Sequence, residues 1–165
     1  VSINLSYVQI LKSPLMMELK QMIEHSGISC SGIIVELTES GYLEGTPAVR
    51  SVWNDMKQLR IQIALDDFGT GYSNLMNISN LEPDIVKLDR GFTLKALSRS
   101  YEYQLMQYVI EMVHKLNQYV CVEGVETKED LEKIKALGPD LIQGYYYSKP
   151  CSRNEFLKKF FCYSE

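Results

Sequence analysis

Two adjacent carboxylates, Asp66 and Asp67, end the apolar run IQIALDD and pass at once into FGTGYSNL, a loop with two glycines. Like charges that close are costly unless something positive lies between them, and a metal ion is the usual answer. Gly69 and Gly71 permit a tight turn that carries Phe68, Thr70 and Tyr72 over such a site. Alone, the pair would read as a solvated turn or a helix N-cap. Here Asn4, Glu36, Lys87, Glu123 and Gln143 also stand at or near the C-terminal ends of apolar runs. Four carboxylates and one amide make an all-oxygen donor set, which suits Mg²⁺ or Mn²⁺ rather than zinc. Four acids suffice for two ions, and two metals about 4 Å apart are a common device for hydrolysing phosphodiesters. Lys87 supplies fixed positive charge for a phosphate, its plain alternative being a lysine paired with Asp89. Gln143 holds a water or ligand, or is a buried amide satisfying backbone groups. His25 and His114 fall in predicted helices away from the strand ends and are read as surface or packing residues.

The elements that must position these groups follow from periodicity. Short β-branched runs begin near Val1, Ile33, Ile61, Ile85, Tyr119 and Leu141. Stretches with helical spacing lie between them, over residues 14–23, 49–59, 101–116 and 131–137, with a last amphipathic segment over 154–161. On the first of these, Leu15, Met16, Leu19, Met22 and Ile23 share a face, and Met16, Met17 and Met22 are expected to pack on the sheet. The run after Asp67 reads as loop plus a short helix. Strand starts lie roughly 20 to 35 residues apart, the size of one βα unit, which argues for a parallel sheet. All six runs carry a polar residue toward the C-terminal end, as in a (β/α)₈ barrel, whose active site is built there from several strands. An open doubly wound sheet would usually carry a Gly-rich phosphate loop after its first strand, and NLSYVQ is no such loop. The expected fold is therefore α/β, a TIM-like barrel. It is incomplete, because about six βα units are visible where closure needs eight strands and about 250 residues. Val1 stands inside a strand, so the reading is a piece lacking roughly two N-terminal strands, with exposed sheet edges.

At 165 residues the chain is one domain, and its 45% apolar and 23% charged content is that of an ordinary globular protein. A net charge of −4 leaves no basic footprint, so duplex nucleic acid and an anionic membrane surface are not expected partners. No apolar stretch approaches the ~20 residues of a membrane span. Cys30, Cys121, Cys151 and Cys162 lack metal-ligand spacing and read as reduced thiols of a cytoplasmic protein. Thr127 is placed to cap a helix whose solvated first turn is KEDLEK, and Tyr145–Tyr147 read as packing and rim residues.

The motifs SINLS, VELTES, IALDDFGTGYSNL, VKLDRGF, VEGVET and QGYYYSKP, in this order, resemble the EAL domain of bacterial cyclic di-GMP phosphodiesterases. The resemblance covers essentially the whole chain. It implies a TIM-like barrel that hydrolyses cyclic di-GMP to linear pGpG with Mg²⁺ or Mn²⁺. It also implies that Asn4, Glu36 and Asp66 bind one metal, that Asp66, Asp67 and Glu123 serve a second, and that a metal-activated water is the nucleophile. Lys87 would polarise that water or the phosphate, Gln143 would contact the water network, and Asp89 and Glu126 would orient Lys87 and the ligands. Glu39 would steady the loop of residues 67–75 (Phe68, Gly69, Thr70 and Gly71 among them), which couples dimerisation to metal binding. A homodimer and an upstream sensory or GGDEF-type domain are further implied.

Val122, Leu88 and Gly91 depart from the usual family residues by size rather than chemistry, and Pro139 stands outside the site where the family often has cysteine. The tripeptide Glu-Ala-Leu, which supplies a metal-binding glutamate, does not occur in these 165 residues. The expectation is an active parent domain and an inactive or weak isolated segment. Two alternatives stand beside it. One is a receptor or interaction module that binds cyclic di-GMP or a protein partner without turnover. The other is an enolase-like metal barrel with Lys87 as a base on a carbon acid.

Overall fold

The computed structural model describes residues 1–11, 14–38, 47–70, 78 and 82–161. Six strands lie in one sheet in the order of the chain: β1 (Ser2–Asn4), β2 (Ile34–Thr38), β3 (Gln62–Phe68), β4 (Ile85–Leu88), β5 (Tyr119–Glu123) and β6 (Leu141–Gln143). Every neighbouring pair is parallel. This sequential winding is that of a barrel wall, and the six strands make an incomplete one.

Alternation along the strands separates two faces. On the outer face, Ile63, Leu65, Val86, Leu88, Val120 and Val122 form one continuous core with helix residues Trp53, Met56, Phe92, Met106, Ile110 and Ile134. Each such side chain, fully buried, stabilises the fold by about 1.5–3 kcal/mol. On the inner face Ala64, Ile85 and Cys121 form a separate small cluster with Ile34 against it. Hence the four central strands, β2 to β5, read as nearly continuous apolar runs, since both of their faces are covered for most of their length.

The helices are Tyr7–Ile10, Leu15–Ser26, Pro47–Gln58, Arg90–Ser98, Ser100–Lys115, Lys128–Lys135 and Arg153–Phe160, with a 3₁₀ turn at Cys30–Gly32. Thr127 and Asp130 form a reciprocal capping box at the start of Lys128–Lys135, as the sequence suggests. Ser152 and Glu155 do the same for the last helix. The helix Arg90–Ser98 escapes a periodicity reading: its short apolar face holds Phe92 and Ala96, and its N-cap is Asp89, whose carboxylate accepts from the Gly91 amide at 2.7 Å. On the helix Leu15–Ser26 the expectation for the methionines fails in part. Leu19 and Ile23 are buried and Met16 packs against the core, but Met17 and Met22 are more than half exposed. The apolar stripe of this helix is narrower than its composition. Most of the segment read as loop plus short helix after Asp67 lies outside the described residues.

Candidate functional site

The aspartate pair reaches the inner face through an irregularity in the pairing of β3. In the register of β3 with β4, Leu65 pairs with Val86 and Phe68 with Leu88, so β3 holds one residue more than its neighbour. That extra residue makes a β-bulge at Asp66–Asp67, and Asp67 takes a positive φ of 60° there. Aspartate tolerates this left-handed conformation better than most residues. The bulge has two effects. Asp66 keeps its place on the inner face with Asp67 beside it, and Phe68 returns to the outer face, where it is buried with Leu88 and Phe92. Gly69 follows with φ 101°, and a Cβ there would lie 2.8 Å from the Phe92 ring. Glycine is needed at that position for both reasons.

Lys87, in the middle of the fully buried β4, projects onto the inner face and is 5% exposed. Its Nζ donates to Glu36 Oε2 at 2.6 Å and stands 2.7 Å from Glu123 Oε1 and 3.0 Å from Asp66 Oδ1. One ammonium thus gathers carboxylates from β2, β3 and β5. Burial works against its charge, but the bonds to Glu123, Glu36 and Asp66 outweigh burial and hold its proton more tightly than in a free lysine. Asp89, the plain alternative partner, is engaged elsewhere as a helix cap.

Negative charge remains in excess. Burial pushes the Glu123 carboxyl up, and the nearby Asp66 and Glu36 add to this against the pull of Lys87. Asp67 is raised by burial first, then by Asp66 and Asp89. Two carboxyls that resist ionisation beside others are the mark of a site short of positive charge. The donor chemistry therefore fits a hard divalent cation. Among the described residues, however, no three of His, Cys, Asp and Glu stand together as a metal-ligand group. Three carboxylates close on Lys87 instead.

The remaining expected residues are placed as follows. Asn4 ends β1 and pairs in register with Glu36, while Gln143 ends β6 and pairs with Glu123. Glu126 accepts from Arg90 Nη2 at 2.7 Å and Nε at 3.1 Å rather than engaging Lys87. Arg90 is a residue the sequence reading passes over, and the Asp89 cap one position earlier is the signal that could have exposed it. Gly124, with φ 80°, lies so close to Arg90 that a Cβ would strike its side chain. Thr70 is the last described residue of its loop, and Glu39 and Gly71 lie outside the described residues. A cavity of about 770 Å³ opens on the inner face, lined among others by Glu36, Lys87, Gln143, Tyr145, Tyr147 and Lys149. Cys121 lies on its wall, and burial pushes its thiol up to about 12, so it is an inert wall residue rather than a nucleophile.

Known proteins share the fold that carries this site. A family model described as EAL domain matches residues 1–150. The cyclic di-GMP phosphodiesterase PdeF of Escherichia coli K12 is 32% identical over 149 residues, which are 90% of this chain and 20% of that protein. Among solved structures, the EAL enzyme Bd1971 bound to cAMP and cyclic di-GMP superposes with a TM-score of 0.89 at 31% identity, covering 95% of this chain and 42% of that one. BlrP1 of Klebsiella pneumoniae, in a complex with manganese and cyclic di-GMP, gives a TM-score of 0.84 at 26% identity over 91% of this chain and 38% of its own. The chain spans about a fifth of the length of the first curated relatives it matches. By this match and this sheet, the chain belongs to the EAL domain family.

Proposed function

We propose that this chain carries most of a domain that hydrolyses one phosphodiester bond of cyclic di-GMP, giving linear pGpG. The observation that supports this best is the convergence of Glu36, Asp66 and Glu123, from three strands, on one point of the inner face beside a cavity of about 770 Å³. Asn4, Glu36 and Asp66 would hold one divalent cation, Mg²⁺ or Mn²⁺, and Asp66, Asp67 and Glu123 a second. Such ions supply a bound water of lowered pKa and neutralise charge on the reacting phosphate.

The chain's own residues do the rest. Lys87 brings an ammonium to the same face, where it meets the charge of a phosphate. Glu123 holds its proton more tightly than an ordinary glutamate because it is buried among carboxylates, which suits it to accept one from an attacking water. Asp89 fixes the start of the helix Arg90–Ser98, and the Arg90–Glu126 pair ties that helix to the loop after β5. Both therefore act on the site by positioning. Gln143 would bind the water network from the cavity wall, and Tyr145 and Tyr147 present aromatic faces to a guanine. Phe68, expected in the loop over the site, is instead the last residue of β3 and is buried in the core. Glu39 and the loop with Gly69, Thr70 and Gly71 that follows it would join a homodimer to the metal site, with a sensory or GGDEF-type domain upstream.

Turnover tests the reading. The 165-residue chain and the same chain joined to the first two barrel strands of a relative are each incubated with cyclic di-GMP and Mn²⁺, and pGpG is followed by chromatography. Strong turnover in the completed barrel and little in the shorter chain is expected. Binding without pGpG in the completed barrel would make this a receptor.

A further inference from the structure

The cluster that chemistry assigns to a divalent cation already has a cation in it. The Lys87 ammonium donates to Glu36 at 2.6 Å and stands 2.7 Å from Glu123 and 3.0 Å from Asp66, within ion-pair distance of all three carboxylates. The side chains are nearly sealed, with exposures of 7% for Lys87 and 10%, 18% and 14% for these three acids. The remaining ion pairs among the described residues lie elsewhere: Arg90 with Glu126, Lys57 with Glu82, Arg99 with Glu102 and His114 with Asp140. Lys87 alone of these cations offsets the acidic cluster.

A hard divalent ion needs its oxygen ligands at about 2.0–2.2 Å, closer than the ammonium holds them. Two cations sharing the same buried oxygens would repel each other strongly in a low dielectric. We propose that Lys87 is the resident counter-ion of this site and competes with the divalent cation, so that metal loading requires its ammonium to release at least one of Glu36, Asp66 and Glu123. The proposal rests on the cluster being a metal site, as argued above. The fold provides somewhere for the released ammonium to go, since Lys87 also lines the cavity of about 770 Å³ on the same face. There it meets whatever phosphate that cavity admits. Lys87 thereby serves as a placeholder that preassembles the carboxylates and becomes available to an anion only after the metal has taken them.

Calorimetric titration of Mn²⁺ into the metal-free chain and into Lys87→Met tests this directly. Removing the competitor is expected to tighten Mn²⁺ binding by about tenfold or more, within the usual range of coupling between two sites. Equal or weaker binding by the variant overturns the proposal. Because the variant leaves buried Glu36 and half-buried Asp66 and Glu123 without a cation, a second measurement uses the unaltered chain. Amine acylation read by mass spectrometry should label Lys87 slowly without metal and at least several times faster with Mn²⁺, relative to the exposed Lys128. Unchanged or slower labelling also overturns it. Failure of the underlying reading looks different: Mn²⁺ would then bind neither protein, or bind unaltered after Glu36→Gln and Asp66→Asn.

Discussion

Asp67 combines a left-handed backbone with a carboxyl whose pKa is raised by burial and by Asp66 and Asp89. A raised acid pKa means that the native state prefers the protonated form. Its contribution to stability is therefore lost as pH climbs from about 4 through the folded value, and stays lost above it. Asp67→Asn keeps a residue that accepts the backbone and removes the charge. The metal-free variant is expected to melt a few degrees higher at pH 7, and cyclic di-GMP turnover of the completed barrel to fall at least tenfold. A lower melting temperature would refute the electrostatic account. Asp140 shows the opposite sign. Burial disfavours its charge, but the Val120 amide at 2.7 Å and His114 at 2.9 Å hold its carboxyl below the ordinary value. Its stabilisation is complete above about pH 4 and is lost as pH falls through the depressed folded value. Asp140→Ala should cost about 1–3 kcal/mol at pH 7, because the buried Val120 amide loses its acceptor. The gap between variant and parent should narrow in urea unfolding at pH 3.

Between residues and fold stand the joints that connect the C-terminal ends of β3, β4, β5 and β6. Gly69 lies against Phe92, Gly124 against Arg90, and Gly144 against the backbone of Val125, so each loop leans on the next. A Cβ at Gly144 would meet the Val125 carbonyl oxygen far inside van der Waals contact. Backbone cannot swing aside as a side chain can. Gly144→Ala is therefore expected to destabilise by about 3 kcal/mol or more and to displace Gln143 from its register with Glu123. A chemical-denaturation midpoint unchanged from the parent would show that this loop is looser than described.

The sheet as a whole has two outer strands, and among the described residues β1 pairs only with β2 and β6 only with β5. Ile3 and Leu141 are 43% and 45% exposed on these strands. Parallel edges of this kind template association with other strands. The 165-residue chain is expected to self-associate with rising concentration in sedimentation velocity, and the double variant Ile3→Lys and Leu141→Lys to shift it toward monomer. Association that the lysines leave untouched would point to a different interface, such as the loop of residues 67–75. Among the described residues no helix is long and apolar enough to cross a membrane.

Much of this molecule was legible in the order of its residues. The β-branched runs and the βα spacing dictate six parallel strands, since a crossover needs a helix's length of chain and both faces must be apolar. The polar residue toward the C-terminal end of each run marks the end of the sheet where the candidate site lies. Capping at Thr127 is equally local. What sequence left open are the matters that depend on neighbours in space. Alternation alone places Asp66 and Asp67 on opposite faces, and only the pairing of β3 with β4 introduces the bulge that brings them together and sends Phe68 back to the core. The partner of Lys87 is likewise a tertiary fact. Asp89 is two residues away along the chain, but the ammonium goes to Glu36, Asp66 and Glu123, which are adjacent across the sheet. Charges choose partners by distance and burial, and neither is a property of spacing along the chain.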